Sequence, residues 1–165
     1  MADDARFDLT DEEARVGCLK AEARFLEKNP VPECCAQPVT DDLLQWAASI
    51  HGPAGSPYES GIFQLIIYFP KDYTSTWPTM TFSTKILHPL RNKEGGICSV
   101  CVLNGIPNRN TFRGYGVLDI LQSIRRILGD PGSSCPHIHA DERTLNPGPE
   151  SYSQTAKAWT KMYAS

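Results

Sequence analysis

An α+β fold is predicted by three observations. One amphipathic helix opens the chain, short strand-like segments follow on links too short to hold crossover helices, and two helical stripes close it. The expected order is an N-terminal helix, an antiparallel meander sheet, a long loop and C-terminal helices. A chain of 165 residues suits one domain, and a core of that size can bury about two thirds of the unfolded surface.

The first helix is signalled by Thr10, a good N-cap, with Glu13 three residues on as its capping-box partner. Val16, Leu19, Ala23 and Leu26 then recur at steps of three and four, predicting a helix over 11–28 that Asn29-Pro30 stops. The sheet is carried by "LLQWAASI" (43–50), "IFQLIIYF" (62–69) and "TMTFS" (79–83), separated by the turn formers "TDD", "HGPAGSP" and "FPKDY". Residues 84–115 lack periodicity and are rich in Gly, Asn and Pro, the mark of a long loop. "VLDILQSIRRIL" (117–128) is strongly helical and ends at Gly129 and Pro131. Tyr152, Ala156, Trp159 and Tyr163 form the last helical stripe. No internal repeat, linker or low-complexity tract interrupts this order.

Composition narrows the function. Hydrophobic residues make up 41% and charged residues 21%, ordinary for a soluble globular protein. A net charge of −3 gives no sign of a nucleic-acid binder. The acidic start "MADDARFDLTDEEAR" has no apolar core of the kind a secretory signal needs. "IFQLIIYF" is far short of the roughly 20 residues of a membrane helix. The expectation is a cytosolic or nuclear protein, with no membrane partner and its six cysteines as free thiols.

The chemistry gathers in "HPLRNKEGGICSVC", from His88 to Cys101. A thioredoxin-like redox pair wants its CxxC after a buried strand at a helix start, and "RNKEGGI" and "VLNGIPNRN" do not read that way. Zinc is a stronger rival, with Cys98, Cys101, Cys135, His137 and His139 as ligands. Yet "CPHIH" is not the usual second half, and a domain with its own core folds without a metal. Packing of Cys101 inside, with the histidines on a surface loop, is the simpler alternative. The third reading is a single nucleophile, Cys98, exposed after Gly-Gly; thiolates are strong nucleophiles and form thioesters well. Buried inert cysteines are common, so the neighbouring residues must decide.

Those neighbours resemble the ubiquitin-conjugating enzyme family, in its compact, broadly acting single-domain form. "HGPAGSPYESGIFQLIIYFPKDY" is similar to the family's GP-x-x-SPY-x-GG-x-F, strand and FP-x-x-YP. His88-Pro89 followed by "GGIC" resembles HPN…NG-x-IC, with the family's spacing from His to active cysteine. "SIRRILGDP" and "YSQTAKAWTKMYAS" resemble two of its helices. The likeness runs from Ala14 to Ser165, leaving residues 1–13 as a short acidic extension, and it implies a four-stranded meander sheet followed by a long active-site loop. It implies that Cys98 accepts ubiquitin or a related modifier from an activating enzyme as a thioester. The modifier would then pass to a substrate lysine or a ligase cysteine, with neither cofactor nor metal. His88, Pro89, Leu90, Cys135 and His137 would support the site, and Cys101 would fill the core.

The departures also cluster there. The family's Asn after His-Pro, which steadies the oxyanion or the active-site loop, is Leu90 here. Loss of one oxyanion donor costs on the order of 100- to 1000-fold in rate, so lysine transfer is expected to be weakened. About five additional residues lie within "NGIPNRN" before Thr111-Phe112, which stand where the family has Trp-Ser. Cys135 aligns with the family's acidic gate residue. That alignment puts a thiol near Cys98, able to oxidise with it to a disulfide. It also makes His137 or His139 a candidate proton acceptor, against the simpler reading of a solvated loop histidine. Arg15, Lys20, Ser75, Trp77 and Gly114 are the partner-facing positions the family pattern implies. "TSTWP" departs from the family's proline-rich ligase loop, and Glu12, Glu13, Glu22 and Glu27 dilute the basic first helix. A non-catalytic adaptor with an idle Cys98, binding ubiquitin or a partner enzyme, is the rival reading, and a zinc-binding module is a third.

Overall fold

Residues 11–71, 76–88, 95–104, 106, 116–130 and 149–165 are described by the computed structural model. Helix α1 runs Asp11–Lys28, as its periodicity predicts. Leu19 is its fully buried residue, with Ala23 and Leu26 packed on the core beside it. Its end is sealed by Asn29, whose backbone N–H and Nδ2 both donate to the Phe25 carbonyl at 2.9 Å. Pro30 cannot continue the ladder. The proposed cap, Thr10, lies outside the described residues.

The sheet is an antiparallel meander of β1 (Cys34–Pro38), β2 (Gln45–His51), β3 (Ile62–Tyr68), β4 (Thr79–Phe82) and β5 (Gly96–Ile97), in that spatial order. Five strands among the described residues replace the four expected. β1 reads poorly because "CCAQP" has no apolar alternation and ends in proline, and β5 is two residues long. β2 starts two residues late: Leu43 has φ +61 and belongs to the turn. There the Asp42 carboxylate takes the Thr40 hydroxyl at 2.6 Å and the Leu44 N–H at 3.0 Å.

Alternation places Trp46, Ala48 and Ile50 of β2, Phe63, Leu65 and Ile67 of β3, and Met80 and Phe82 of β4 on the inner face. Against it lies α3, Val117–Gly129, burying Ile120, Leu121, Ile124 and Leu128 completely. Each such side chain stabilises the fold by about 1.5–3 kcal/mol. The last helix, α4, spans Pro149–Tyr163 and buries Ala156 and Thr160. It is tied to the start of β3 by the Ile62 N–H on the Ala164 carbonyl at 2.8 Å. No helix among the described residues is long and apolar enough to cross a membrane.

Candidate active site around Cys98

The path from β4 to the site is fixed at each step. Ser83 and Thr84 N–H groups donate to the Gln64 carbonyl, and the Thr84 hydroxyl takes the Gln64 N–H at 2.9 Å. Ile86 is buried, and the Leu87 carbonyl accepts the Tyr58 hydroxyl at 2.6 Å. His88 follows, 4% exposed, its Nε2 3.2 Å from the Ile127 carbonyl near the end of α3. A carbonyl only accepts, so Nε2 carries the proton. The imidazole sits 5.7 Å from the Tyr58 ring. Burial drives its pKa down from 6.5 to about 4, outweighing the Ile127 bond and the Asp130 charge, which raise it. His88 is therefore neutral near pH 7 and acts as an anchor for the chain, not as a proton carrier.

Pro89 and Leu90 lie outside the described residues. The chain is described again at Gly95, which has φ +93 and gives its carbonyl to the Phe82 N–H at 2.9 Å. Gly96 pairs with Thr81 and Ile97 with Met80. Cys98 comes next, half-buried against the core, and its carbonyl accepts the Val102 N–H at 3.2 Å. It thus stands between β5 and a short helix, α2 (Ser99–Asn104). The Ser99 hydroxyl donates to the Pro78 carbonyl at 3.0 Å, and the Ser123 hydroxyl of α3 to the Val102 carbonyl at 2.6 Å. Cys98 is held from both sides by hydrogen bonds and buried apolar contacts.

This corrects the expectation of an irregular 84–115 loop. A strand precedes Cys98 and a helix follows it, so the context argument against a redox pair does not hold. Cys101, like Cys98, is half-buried against the core. Cys34, by contrast, is sealed in the core, and burial pushes its thiol up to about 11. Among the described residues no group of three or more His, Cys, Asp or Glu is placed to hold a metal. Cys135, His137 and His139 fall outside those residues, as do Ser75 and Gly114.

Of the positions expected to face partners, Lys20 is exposed and Trp77 is 47% exposed. Arg15 is a correction. It is 4% exposed, turned inward with Nη1 on the Lys71 carbonyl at 3.1 Å. The step of four from Arg15 to Leu19 puts both on the inner side of α1, and the guanidinium satisfies a carbonyl there. Glu22 is corrected too: rather than diluting an outward basic face, its carboxylate accepts the Val117 N–H at 3.1 Å at the start of α3. Burial raises its pKa above the usual value, opposed by that bond and aided by Asp119. Tyr58, Ser99 and Ser123 were given no role by sequence reasoning. Tyr58 sits in the quoted SPY motif; nothing in the pattern singles out the two serines.

The comparisons agree with this architecture. Residues 18–160 match the model of the family described as ubiquitin-conjugating enzyme. A curated protein of Dictyostelium discoideum, "Ubiquitin conjugating enzyme E2 B", is 36% identical over 147 residues, covering 88% of this chain and 95% of that protein. The chain belongs to the ubiquitin-conjugating enzyme family, a family of transferases.

Proposed function

We propose that Cys98 accepts ubiquitin or a ubiquitin-like modifier from an activating enzyme as a thioester and passes it to a substrate lysine or a ligase cysteine. The observation that supports this most is the setting of Cys98. It is a half-buried thiol at the β5–α2 junction, at the family's spacing from an immobilised His88. Cys98 Sγ, as thiolate, attacks the activated acyl carbon of the modifier and displaces the group through which the activating enzyme holds it; in transfer the acceptor nitrogen or sulfur attacks the same carbon, the C–S bond to Cys98 breaks and the sulfur leaves as thiolate.

Leu90 offers no hydrogen bond to an oxyanion, so transfer to lysine is slow while loading of Cys98 is not. His137 or His139 takes up part of the missing polar role as proton acceptor, and Cys135 stands at the gate position. Lys20 and Trp77 are the exposed positions that meet the activating enzyme and the ligase.

The test is incubation with activating enzyme, ATP and ubiquitin, followed by a non-reducing gel. A thiol-sensitive adduct lost in Cys98→Ala and kept in Cys101→Ala is expected. No adduct with ubiquitin or any common modifier would sink the proposal. That outcome would favour the second reading, which Leu90 and "TSTWP" support: an adaptor of this fold that binds ubiquitin or a partner conjugating enzyme.

A further inference from the structure

Lys85 lies three residues before His88, on the run that leads to the site. Its Nζ stands 4.7 Å from the centre of the Trp159 ring and 4.9 Å from that of Tyr163. The two rings are one helical turn apart on α4, 6.0 Å between centres and edge-to-face at 85°. They present two π faces to one ammonium. The lysine is not carried there by a free loop: Thr84 before it is bonded to Gln64, and Ile86 after it is buried. Among the described lysines it is the one whose ammonium has rings against it, although like Lys157 and Lys161 it is exposed.

We propose that Trp159 and Tyr163 form a cage that withholds Lys85 from acylation, so that self-modification falls on other lysines of the chain. The physical reason is the difference between the two forms of the amine. Only the ammonium is attracted by the ring faces, whereas only the neutral amine, with its lone pair turned outward, attacks an acyl carbonyl. Each acylation must therefore break both contacts first. In transfer from Cys98, the Lys85 nitrogen would form a C–N bond with the thioester carbonyl as the C–S bond breaks. The sulfur would leave as thiolate, and the proton lost by nitrogen would end on it. That use of the cage rests on the thioester proposed above; the protection itself does not. Two contacts of exposed-site strength slow the reaction about five- to thirty-fold.

The cage is tested on the full chain by trace acetylation with an N-hydroxysuccinimide ester, with each lysine quantified by peptide mass spectrometry. Lys85 should react about five- to thirty-fold more slowly than Lys157 and Lys161, which share α4 with the rings. Tyr163→Leu, at a position 43% exposed, should raise the Lys85 rate several-fold and leave the Lys157 rate alone. Trp159→Leu should do more, provided its circular dichroism matches the unaltered chain; otherwise Tyr163→Leu decides. Equal rates for Lys85 and Lys157 in the unaltered chain would overturn the cage. In a second arm, activating enzyme, ATP and ubiquitin are supplied and the self-modified lysines mapped. Sparing of Lys85, and its appearance in Tyr163→Leu, supports the proposal; heavy modification of Lys85 in the unaltered chain refutes it. If no thioester forms on Cys98, the transferase reading fails alone, because the acetylation arm still decides the cage.

Discussion

Acidification puts a proton on His88 only at the expense of the fold. The imidazole is 4% exposed and its pKa falls from 6.5 to about 4, chiefly through burial. Below pH 6.5 the unfolded chain takes up a proton that the folded chain refuses until about pH 4, so the unfolded state gains throughout that window. The loss of stability is about 2 kcal/mol by pH ~5 and about 3 kcal/mol by pH ~4, levelling off below. Well above pH 6.5 the slope from His88 vanishes. Glu22 acts in the opposite direction: its pKa is raised by burial, so it favours the folded state more as it becomes protonated. Urea denaturation at several pH values between about 7.5 and 4, on the unaltered chain and on His88→Asn, separates these contributions. The substituted carboxamide keeps a donor for the Ile127 carbonyl but cannot titrate. The variant should be less stable near pH 7 and lose about 2 kcal/mol less on going to pH ~5. Identical pH slopes in the two proteins would refute the assignment.

Changes at three other positions have defined outcomes. Leu90→Asn should raise single-turnover discharge of the Cys98 thioester to free lysine by on the order of 100-fold without changing the rate of loading. Gly52→Ala should destabilise by about 2–4 kcal/mol in chemical denaturation, because a Cβ there would lie 1.7 Å from the Tyr58 carbonyl oxygen. Glu22→Ala removes the acceptor of the Val117 N–H and should cost about 1 kcal/mol, a drop in melting temperature of roughly 2–4 °C. Glu22→Gln keeps an acceptor oxygen and should melt within about a degree of the unaltered chain.

Periodicity was enough to place α1, β2, β3, β4, α3 and α4; β2, β3, β4 and α3 bury a continuous apolar face, whereas α4 buries Ala156 and Thr160 and leaves Tyr163 43% exposed. β1 and β5 escaped it for the same reason: Cys34 and Ile97 are their main buried side chains, and one residue sets no period. Helix α2 was hidden because six residues make less than two turns. At the site, the spacing from His88 to Cys98 was legible, but the work of His88 was not. Its partner is a backbone carbonyl of Ile127, 39 positions away, and carbonyls leave no mark in a sequence. Arg15 misled for a related reason. An arginine among charged residues on a helix reads as outward, and only tertiary packing shows that its long stem reaches the Lys71 carbonyl.

Of the hydrogen bonds that tie α3 to other elements, two hold the segments flanking Cys98. Ile127 receives His88 from the run before the cysteine, and Ser123 donates to Val102 in the helix after it. Glu22 of α1 secures the first turn. With four side chains fully buried, α3 is the most firmly held element near the site, so both flanks take their position from one rigid body. Ser123→Ala cuts one flank loose and spares the other. It leaves the buried Val102 carbonyl without its hydroxyl partner, at a cost of about 1–3 kcal/mol. If α2 owes its placement to that bond, the loss will be local. Hydrogen exchange at the Val102 amide, which donates to the Cys98 carbonyl, should speed up about tenfold or more, while the Ile124 and Leu128 amides of α3 keep their protection. Unchanged exchange at Val102 would mean that α2 is placed by apolar burial of Val102 and Leu103 alone, and that α3 does not govern the cysteine's downstream flank.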